Sequence, residues 1–229
     1  MSQLAVQLSE IEIELSGVRL FQCSDLRIFR GQRVGIMGPS GAGKSLLLKA
    51  LCDLISFRGK RWIAEDQVLA KVFQKNALFD SMTASQNVEL PLVFQGIHSS
   101  RRKTKVLELL QQVGLGTSGL LFPSEMSGGM QKRLGLARAL AMGPNLLFCD
   151  DPSAGLDPLL SREIYELLRS TSQNRTLVFT TNEVARAQQV ADRLLVLLNG
   201  RIAFDGDWDQ LSGAPIEVRS FLFPRDFHA

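Results

Sequence analysis

The sequence predicts an α/β fold with a parallel sheet at its core. Apolar runs at 33–37, 146–149 and 176–180 lack polar alternation, which is typical of strands buried on both faces. A helical pattern at 159–169 separates two of these runs, and strands that alternate with helices favour parallel pairing. Residues 75–142 are of mainly helical character. We therefore expect a parallel-sheet core with an N-terminal antiparallel β region and a helical insertion.

Three segments predict antiparallel β structure. Apolar and polar residues alternate over 5–15, and a further apolar run follows at 26–29. The segment 57–73 has the pattern of a short hairpin. A last hairpin is expected over 194–204, because Asn199 and Gly200 form a strong turn dipeptide.

The insertion predicts one turn-rich segment and two helices. Turn-forming residues dominate 76–91, and a helix is expected over about 101–113. A Gly-rich loop and the segment PSEMSGGM then lead into a second helix that ends near Ala141.

Composition excludes several classes of protein. The 229 residues are 45% hydrophobic and 21% charged, as in ordinary globular proteins. The formal net charge of +3 is too small for nucleic-acid binding by bulk attraction. Three widely spaced cysteines without a CxxC motif predict neither a disulfide framework nor a zinc site. No apolar run could span a bilayer and no secretion signal opens the chain, so we expect a cytosolic polypeptide.

The segment GPSGAGKS at 38–45 predicts a phosphate-binding loop, because it fits G-x-x-x-x-G-K-[ST] between a predicted strand and a predicted helix. Its glycines allow successive N–H groups to turn inward as an anion-binding nest, and the helix N-terminus adds its dipole. Lys44 would reach the β- and γ-phosphates, and the Ser45 hydroxyl would bind Mg²⁺. The alternative is an ordinary Gly-rich turn. The residues expected to hold the nucleotide here are Gly38, Pro39, Ser40, Gly41, Ala42, Gly43, Lys44, Ser45 and Leu46.

The segment LLFCDD supplies carboxylates at the tip of a neighbouring strand. A Mg²⁺ site beside a phosphate loop needs such a group. We expect Asp150 to bind the metal and Asp151 to stand beside the attacking water. An acidic pair after a buried strand is otherwise often a solvated turn.

With three further motifs, the chain resembles the nucleotide-binding subunit of ABC transporters over essentially its whole length. MSGGM at 126–130 is similar to the LSGGQ signature, Gln74 in VFQ occupies the Q-loop, and SAGLD at 153–157 resembles the D-loop. The resemblance implies a P-loop NTPase of the ABC cassette type with a RecA-like core.

The implied organisation is one ATP-binding domain over 1–229. Its core lobe would comprise 1–74 and 143–229, and its helical subdomain 75–142.

The resemblance also implies how the site works. ATP and Mg²⁺ would be bound, and ATP would be hydrolysed. Ser127, Gly128 and Gly129 would cap the γ-phosphate held by the opposite subunit, so that the active dimer is a nucleotide sandwich. The implied catalytic residues are Asp151, Gln74 and Thr181, and the implied metal-contacting residues are Ser45, Gln74 and Asp150.

The implied partners are an integral membrane permease and a second ATP-binding subunit, and no nucleic acid. A homodimer is favoured and a heterodimer stays open. The chain would lie at the cytoplasmic face of the membrane, peripheral through the permease.

A narrower resemblance is to the Mla-type lipid transporters that work with MCE proteins. It depends on FQKNALFDSMTASQNVELPL, on PSEMSGGM with Met130 at the last signature position, and on VRSFLFP near the C-terminus. It implies lipid transport and an MCE-type lipid-binding partner.

The chain departs from the family pattern at three positions. The Glu that follows the metal carboxylate is Asp151, which is shorter by one methylene, roughly 1.5 Å of reach. The switch histidine falls at Thr181. Both changes predict slow hydrolysis. Residues 5–20 contain no aromatic side chain, and the first is Phe21, so weak or missing stacking on adenine is expected.

Two alternatives stay open. The chain could bind ATP without hydrolysing it and complete the site of a different, competent ATPase through its intact MSGGM. It could also be a soluble non-transport ABC ATPase, although those usually carry a coiled-coil or zinc insertion, or two cassettes in one chain.

Overall fold

The computed structural model describes residues 3–74 and 77–224. Nine strands and seven α-helices are found in these ranges, with short 3₁₀ helices at Pro123–Glu125 and Trp208–Gly213. The strands are β1 (Leu4–Leu15), β2 (Val18–Phe29), β3 (Arg33–Met37), β4 (Arg58–Ile63), β5 (Leu69–Val72), β6 (Leu146–Cys149), β7 (Thr176–Thr180), β8 (Arg193–Leu198) and β9 (Arg201–Asp207). The helices are α1 (Lys44–Leu51), α2 (Ala84–Phe94), α3 (Ser99–Gln112), α4 (Gly128–Ala141), α5 (Pro158–Thr171), α6 (Val184–Val190) and α7 (Ile216–Leu222).

The strands form one sheet in the order β4-β1-β2-β9-β8-β3-β7-β6-β5. Strands β8, β3, β7, β6 and β5 are parallel, whereas β1 pairs antiparallel with β2 and β4, and β8 with β9. The predicted parallel core with an N-terminal antiparallel region is confirmed. The final hairpin around Asn199 and Gly200 is also confirmed.

The core strands are buried on both faces, as their lack of polar alternation indicates. All four residues of β6 and all five of β7 are buried. Alternate residues enter different apolar clusters: Leu147 and Phe179 pack with the helices of the insertion and α5, whereas Phe148 and Val178 pack with α1 and the N-terminal strands. The parallel part of the sheet is therefore the middle layer between two cores.

The predicted hairpin over 57–73 is wrong. Strand β4 pairs antiparallel with β1 and β5 pairs parallel with β6, so the two lie at opposite edges of the sheet. Gly59 shows why β4 fits against β1, because a Cβ at this residue would lie 2.3 Å from the Glu10 carbonyl oxygen. Strand β5 instead extends the parallel core, where Ala70 and Val72 are buried.

The prediction of turns over 76–91 is wrong for its second half, where α2 begins at Ala84. Thr83 and Gln86 form a capping box at its N-terminus: the Gln86 N–H donates to Thr83 Oγ1 at 3.3 Å and the Thr83 N–H to Gln86 Oε1 at 2.8 Å. The buried Asn87 amide donates to the carbonyls of Phe79 and Met82. The polar side chains that favoured a turn in the sequence, Thr83 and Asn87, therefore form hydrogen bonds at the start of α2 instead.

None of the helices within residues 3–74 and 77–224 is both long and apolar enough to cross a bilayer.

Candidate nucleotide-binding site

The loop at 38–43 joins the end of β3 to the start of α1, and its backbone needs glycine at both ends. Gly38 has φ 151°, and a Cβ there would lie 2.3 Å from the Leu197 carbonyl oxygen. Gly43 has φ 98°, and a Cβ there would lie 3.1 Å from Phe21 Cδ2. The loop is thus packed against β8 and β2 on its inner side, with its helix N-terminus open to the pocket.

Lys44 folds back over this loop. Its Nζ donates to the carbonyl oxygens of Gly38 at 2.7 Å and Pro39 at 2.9 Å. Burial lowers the pKa of Lys44, and the nearby carboxylates of Asp151 and Asp150 oppose that shift. The ammonium group is therefore held at the loop, where it can meet an anionic ligand.

Three side chains share one hydrogen-bond cluster: Ser45 comes from the first turn of α1, and Asp150 and Thr180 come from the ends of β6 and β7. Ser45 Oγ and Thr180 Oγ1 each donate to Asp150 Oδ1 at 2.9 Å, and Thr180 Oγ1 accepts the Asp151 N–H at 2.8 Å. Asp150 is only 6% exposed. The cluster forms because β3, β7 and β6 are adjacent and parallel, so they end at the same edge of the sheet.

The donor set fits Mg²⁺. A hydroxyl and a carboxylate oxygen 2.9 Å apart are the hard oxygen ligands that Mg²⁺ prefers. The described ranges contain no group of three or more His, Cys, Asp or Glu residues arranged for a metal ion. Mg²⁺ does not need one, because it usually takes one or two carboxylates together with substrate phosphates.

A cavity of about 310 Å³ brings the predicted catalytic residues to the loop. Its size is at the lower end of ligand pockets. Gln74, Asp151 and Thr181 line it, together with two residues that sequence reasoning did not single out, Thr180 and Asn182. The loop contributes Ser40, Gly41, Gly43, Lys44, Ser45 and Leu46.

Asp151 differs from Asp150 in its surroundings. Its backbone has a positive φ of 41°, and its N–H is held by Thr180. Burial raises the pKa of Asp151, and the charge of Lys132 is the largest opposing influence. Neighbouring carboxylates in different environments are suited to different roles.

Lys132 is a site residue that sequence reasoning missed. It is 8% exposed, and its Nζ donates to the Gln74 carbonyl oxygen at 2.5 Å. Burial lowers the pKa of Lys132, and the Asp151 carboxylate opposes the shift. The sequence did contain a signal for this residue. Lys132 lies three residues after Gly129 and four before Leu136, so a charged residue falls on the apolar face of α4.

Thr180 was also missed. Register pairs Cys149 with Phe179, so the residues that follow, Asp150 and Thr180, leave adjacent strands side by side. In the sequence, Asp150 follows the apolar run of β6 and Thr180 ends the run of β7. Their contact depends on the strand pairing, which the local sequence does not specify.

Thr181 and Phe21 occupy less accessible positions than the family pattern implies. Thr181 is buried although it lines the cavity, and its Oγ1 accepts the Glu183 N–H at 3.2 Å. Phe21 is wholly buried against Gly43. Its ring therefore does not face the cavity in a way that would allow stacking on a base.

The signature residues lie away from this cavity. Ser127 is the N-cap of α4, and its Oγ accepts the Met130 N–H at 3.3 Å. Gly128 and Gly129 open the helix, facing Leu156 and Leu160 of the same chain. Within one chain, the structure brings together the predicted loop, metal and catalytic residues. The signature residues Ser127, Gly128 and Gly129 do not line the same cavity.

Comparisons with known proteins identify the family of the chain. The family model described as ABC transporter matches residues 21–154. The chain is 37% identical over 219 residues to the probable sulfate/thiosulfate import ATP-binding protein CysA of Chlorella vulgaris, covering 88% of this chain and 93% of that protein. It is 34% identical to a probable amino-acid ABC transporter ATP-binding protein of Haemophilus influenzae, covering 97% and 95%.

A third relative is longer than this chain. The methionine import ATP-binding protein MetN of Carboxydothermus hydrogenoformans is 34% identical, and the match covers 87% of this chain but 65% of MetN.

Among solved structures, the chain is similar to the ATP-binding cassette MJ0796, in a dimer described as a post-hydrolysis state bound to ADP and Pi. The TM-score is 0.79 at 28% identity, covering 88% of this chain and 98% of that one. The predicted fold class is confirmed by this likeness. The family match over more than half of the chain, and relatives above 30% identity across nearly all of it, show that the chain belongs to the ABC transporter ATP-binding cassette family.

Proposed function

We propose that this subunit binds MgATP at 38–45, dimerises on it, and couples binding and slow hydrolysis to a membrane permease. One observation carries the proposal. Ser45 Oγ and Asp150 Oδ1 lie 2.9 Å apart beside a glycine loop whose lysine ammonium faces the same cavity. This combination matches the requirements of a metal-bound triphosphate.

Each group of the loop has a distinct part in holding the phosphates. The main-chain N–H groups of the loop and the first turn of α1 would donate to the phosphate oxygens, and Lys44 would exchange its bonds to Gly38 and Pro39 for bonds to phosphate. Ser45, Asp150 and Gln74 would hold Mg²⁺. The bound metal would neutralise the negative charge that develops on the phosphate during hydrolysis.

Slow hydrolysis is proposed from the positions of Asp151 and Thr181. Asp151 lines the cavity and would orient the attacking water, but its carboxylate reaches roughly 1.5 Å less far than a glutamate. A misplacement of about 1 Å can cost on the order of a hundredfold in rate. Thr181 would donate its hydroxyl to the γ-phosphate in place of a longer imidazole. Because both residues act on one phosphate, their effects are not additive.

A second subunit would complete the site. Ser127 accepts a hydrogen bond as the N-cap of α4, which leaves its hydroxyl hydrogen for a phosphate oxygen. The N–H groups of Gly128 and Gly129 lie at the same helix N-terminus. Because these groups are outside their own chain's cavity, they would serve the nucleotide of a partner. The similar cassette MJ0796 is described as a dimer, which supports this arrangement.

An apolar groove supports docking of a permease segment. It has a volume of about 470 Å³ and includes Phe79, Phe94, Arg138 and Met142. Phe94 on α2 is 83% exposed. The groove adjoins the chain that follows Gln74, since Arg138 donates to the Ala77 carbonyl oxygen. Docking there would place the subunit at the cytoplasmic face of the membrane.

The cargo remains a prediction with two candidates. Lipid transport with an MCE-type partner is supported by the motif resemblance that includes Met130. Import of a small solute is supported by the relatives, whose names refer to sulfate or thiosulfate, methionine and amino acids. The two are distinguished by measuring, in the reconstituted complex, ATP-dependent transport of radiolabelled lipid and, separately, of each radiolabelled solute.

The nucleotide site is tested by Lys44→Ala. We expect MgATP affinity, measured by calorimetry, to fall about ten- to hundredfold, because a charged donor to phosphate is lost. Lys60→Ala is the matched control, because it removes the same charge from an exposed position on β4. Unchanged affinity in Lys44→Ala, or no binding of millimolar MgATP by the wild type, would contradict the proposal.

The proposal that Asp151 slows ATP hydrolysis is tested by Asp151→Glu in the assembled transporter. The restored methylene should raise kcat at least about tenfold by bringing the carboxylate to the water. Asp192→Glu adds the same methylene to a carboxylate paired with Arg33 and should leave kcat unchanged. A fall in kcat for Asp151→Glu would show that this site is built for the shorter side chain.

The permease surface is tested by Phe94→Ser. Co-purification of the permease and its stimulation of ATPase activity should fall at least about tenfold, since a central aromatic contact of an interface is lost. MgATP binding should not change. Leu120→Ser is the control, because Leu120 is 85% exposed but lies outside the groove. An equal loss in both variants, or none in Phe94→Ser, would refute docking in this groove.

A further inference from the structure

Tyr165 is the only tyrosine of the chain and is completely buried on α5. Its ring packs edge-on against Phe179 of β7, with the ring centroids 5.7 Å apart and the planes at 62°. From its sequence context alone, the residue is interpreted as packing. A phenylalanine would supply the same ring contact, so the hydroxyl needs a separate explanation.

The hydroxyl of Tyr165 is buried, and no group of residues 3–74 and 77–224 completes a hydrogen bond with it. Nearly all buried side-chain polar atoms in proteins have a partner, and each exception calls for a reason. Leaving a donor unpaired destabilises the state in which it is unpaired. A partner in another state of the protein is one such reason.

The neighbouring hydroxyls indicate where this group points. The Thr181 N–H donates to the Ile36 carbonyl oxygen at 3.0 Å, so the β7 ladder continues past Thr180. Phe179 and Thr181 are therefore on the same face of the extended chain. Burial raises the pKa of Tyr165, and the hydroxyls of Thr181 and Ser153 oppose that shift because they lie close to the phenol, although neither completes a hydrogen bond with it.

The Thr181 hydroxyl has one hydrogen to donate and two lone pairs to accept with. One lone pair accepts the Glu183 N–H at 3.2 Å. If the second accepts the Tyr165 O–H, both lone pairs are occupied and the Thr181 hydrogen stays available for a ligand in the cavity that Thr181 lines. A donor that also accepts hydrogen bonds is polarised and becomes stronger.

We propose that Tyr165 is a positioning residue, which donates its hydroxyl to Thr181 Oγ1 in the nucleotide-bound state and so directs the Thr181 O–H at the terminal phosphate. The inference rests on the proposed function, in which Thr181 contacts that phosphate. Ser153, buried in the loop after β6, would donate to the Tyr165 oxygen and tie that loop to the same contact.

The proposal makes a prediction that a packing role does not. Tyr165→Phe should keep or raise the thermal midpoint of the nucleotide-free chain, because it removes an unpartnered polar group. In the assembled transporter, kcat for ATP should fall about two- to tenfold, the factor that one ordinary hydrogen bond supplies, with KM unchanged. A packing role alone would also keep the midpoint, because phenylalanine retains the ring contact with Phe179, but it would leave kcat unchanged.

The experiment measures phosphate release by the assembled transporter and thermal midpoints of the isolated chain. It compares the wild type, Tyr165→Phe, Thr181→Val and the double variant. In the Thr181→Val background, Tyr165→Phe should have no further effect on kcat, since the group it directs is already gone. Thr171→Val is the control: its hydroxyl donates to the Leu167 carbonyl on the same helix, so its midpoint should fall while kcat holds.

The outcomes separate this inference from the proposed function. Wild-type kcat in Tyr165→Phe, or an equal loss in the Thr181→Val background, would overturn the inference and leave nucleotide binding intact. So would a wild-type complex that binds MgATP but releases no phosphate. A wild type that binds no MgATP would overturn the proposed function, and this inference with it.

Discussion

The common ending of β3, β6 and β7 at one edge of the sheet is the constraint on which the site depends. The register of β6 and β7 sets Asp150 and Thr180 side by side, and the loop after β3 brings Ser45 on α1 to the same carboxylate oxygen, with both hydroxyls 2.9 Å from it. The loop at 38–43 adds the anion-binding backbone. Because buried core strands hold these groups, the site is preorganised before any ligand arrives, which is what electrostatic stabilisation of a phosphate requires.

Helix α4 connects this rigid edge to the rest of the subunit. It is preceded by its N-cap Ser127, it carries Lys132, which donates to the Gln74 carbonyl, and it ends near Arg138, which lines the apolar groove. Fourteen residues of helix span about 21 Å. One rigid element thus joins the surface proposed for a partner subunit, the chain segment at the cavity and the surface proposed for the permease.

Much of the fold and the site could be predicted from the sequence, because the decisive features are local. The apolar runs predicted the boundaries of β3, β6 and β7, and the glycine pattern predicted the phosphate-binding loop at 38–45. The hairpin over 57–73 was wrong because pairing depends on partners far along the chain, here Leu8 for β4 and Cys149 for β5. Helix α2 was missed although Thr83 and Gln86 carried a capping signal. Lys132 and Tyr165 gain their meaning only from tertiary neighbours that local patterns do not specify.

The central claim is that a triphosphate held at 38–45 of one chain is completed by Ser127–Gly129 of another, and sedimentation of mixed variants tests it most directly. Lys44→Ala and Ser127→Arg chains are measured separately and together with Mg²⁺ and a non-hydrolysable ATP analogue. We predict that neither variant dimerises alone, whereas the mixture does, since it restores one intact composite site. Dimers of each variant alone at the wild-type level, or no nucleotide-dependent dimer of the wild type, would contradict the account.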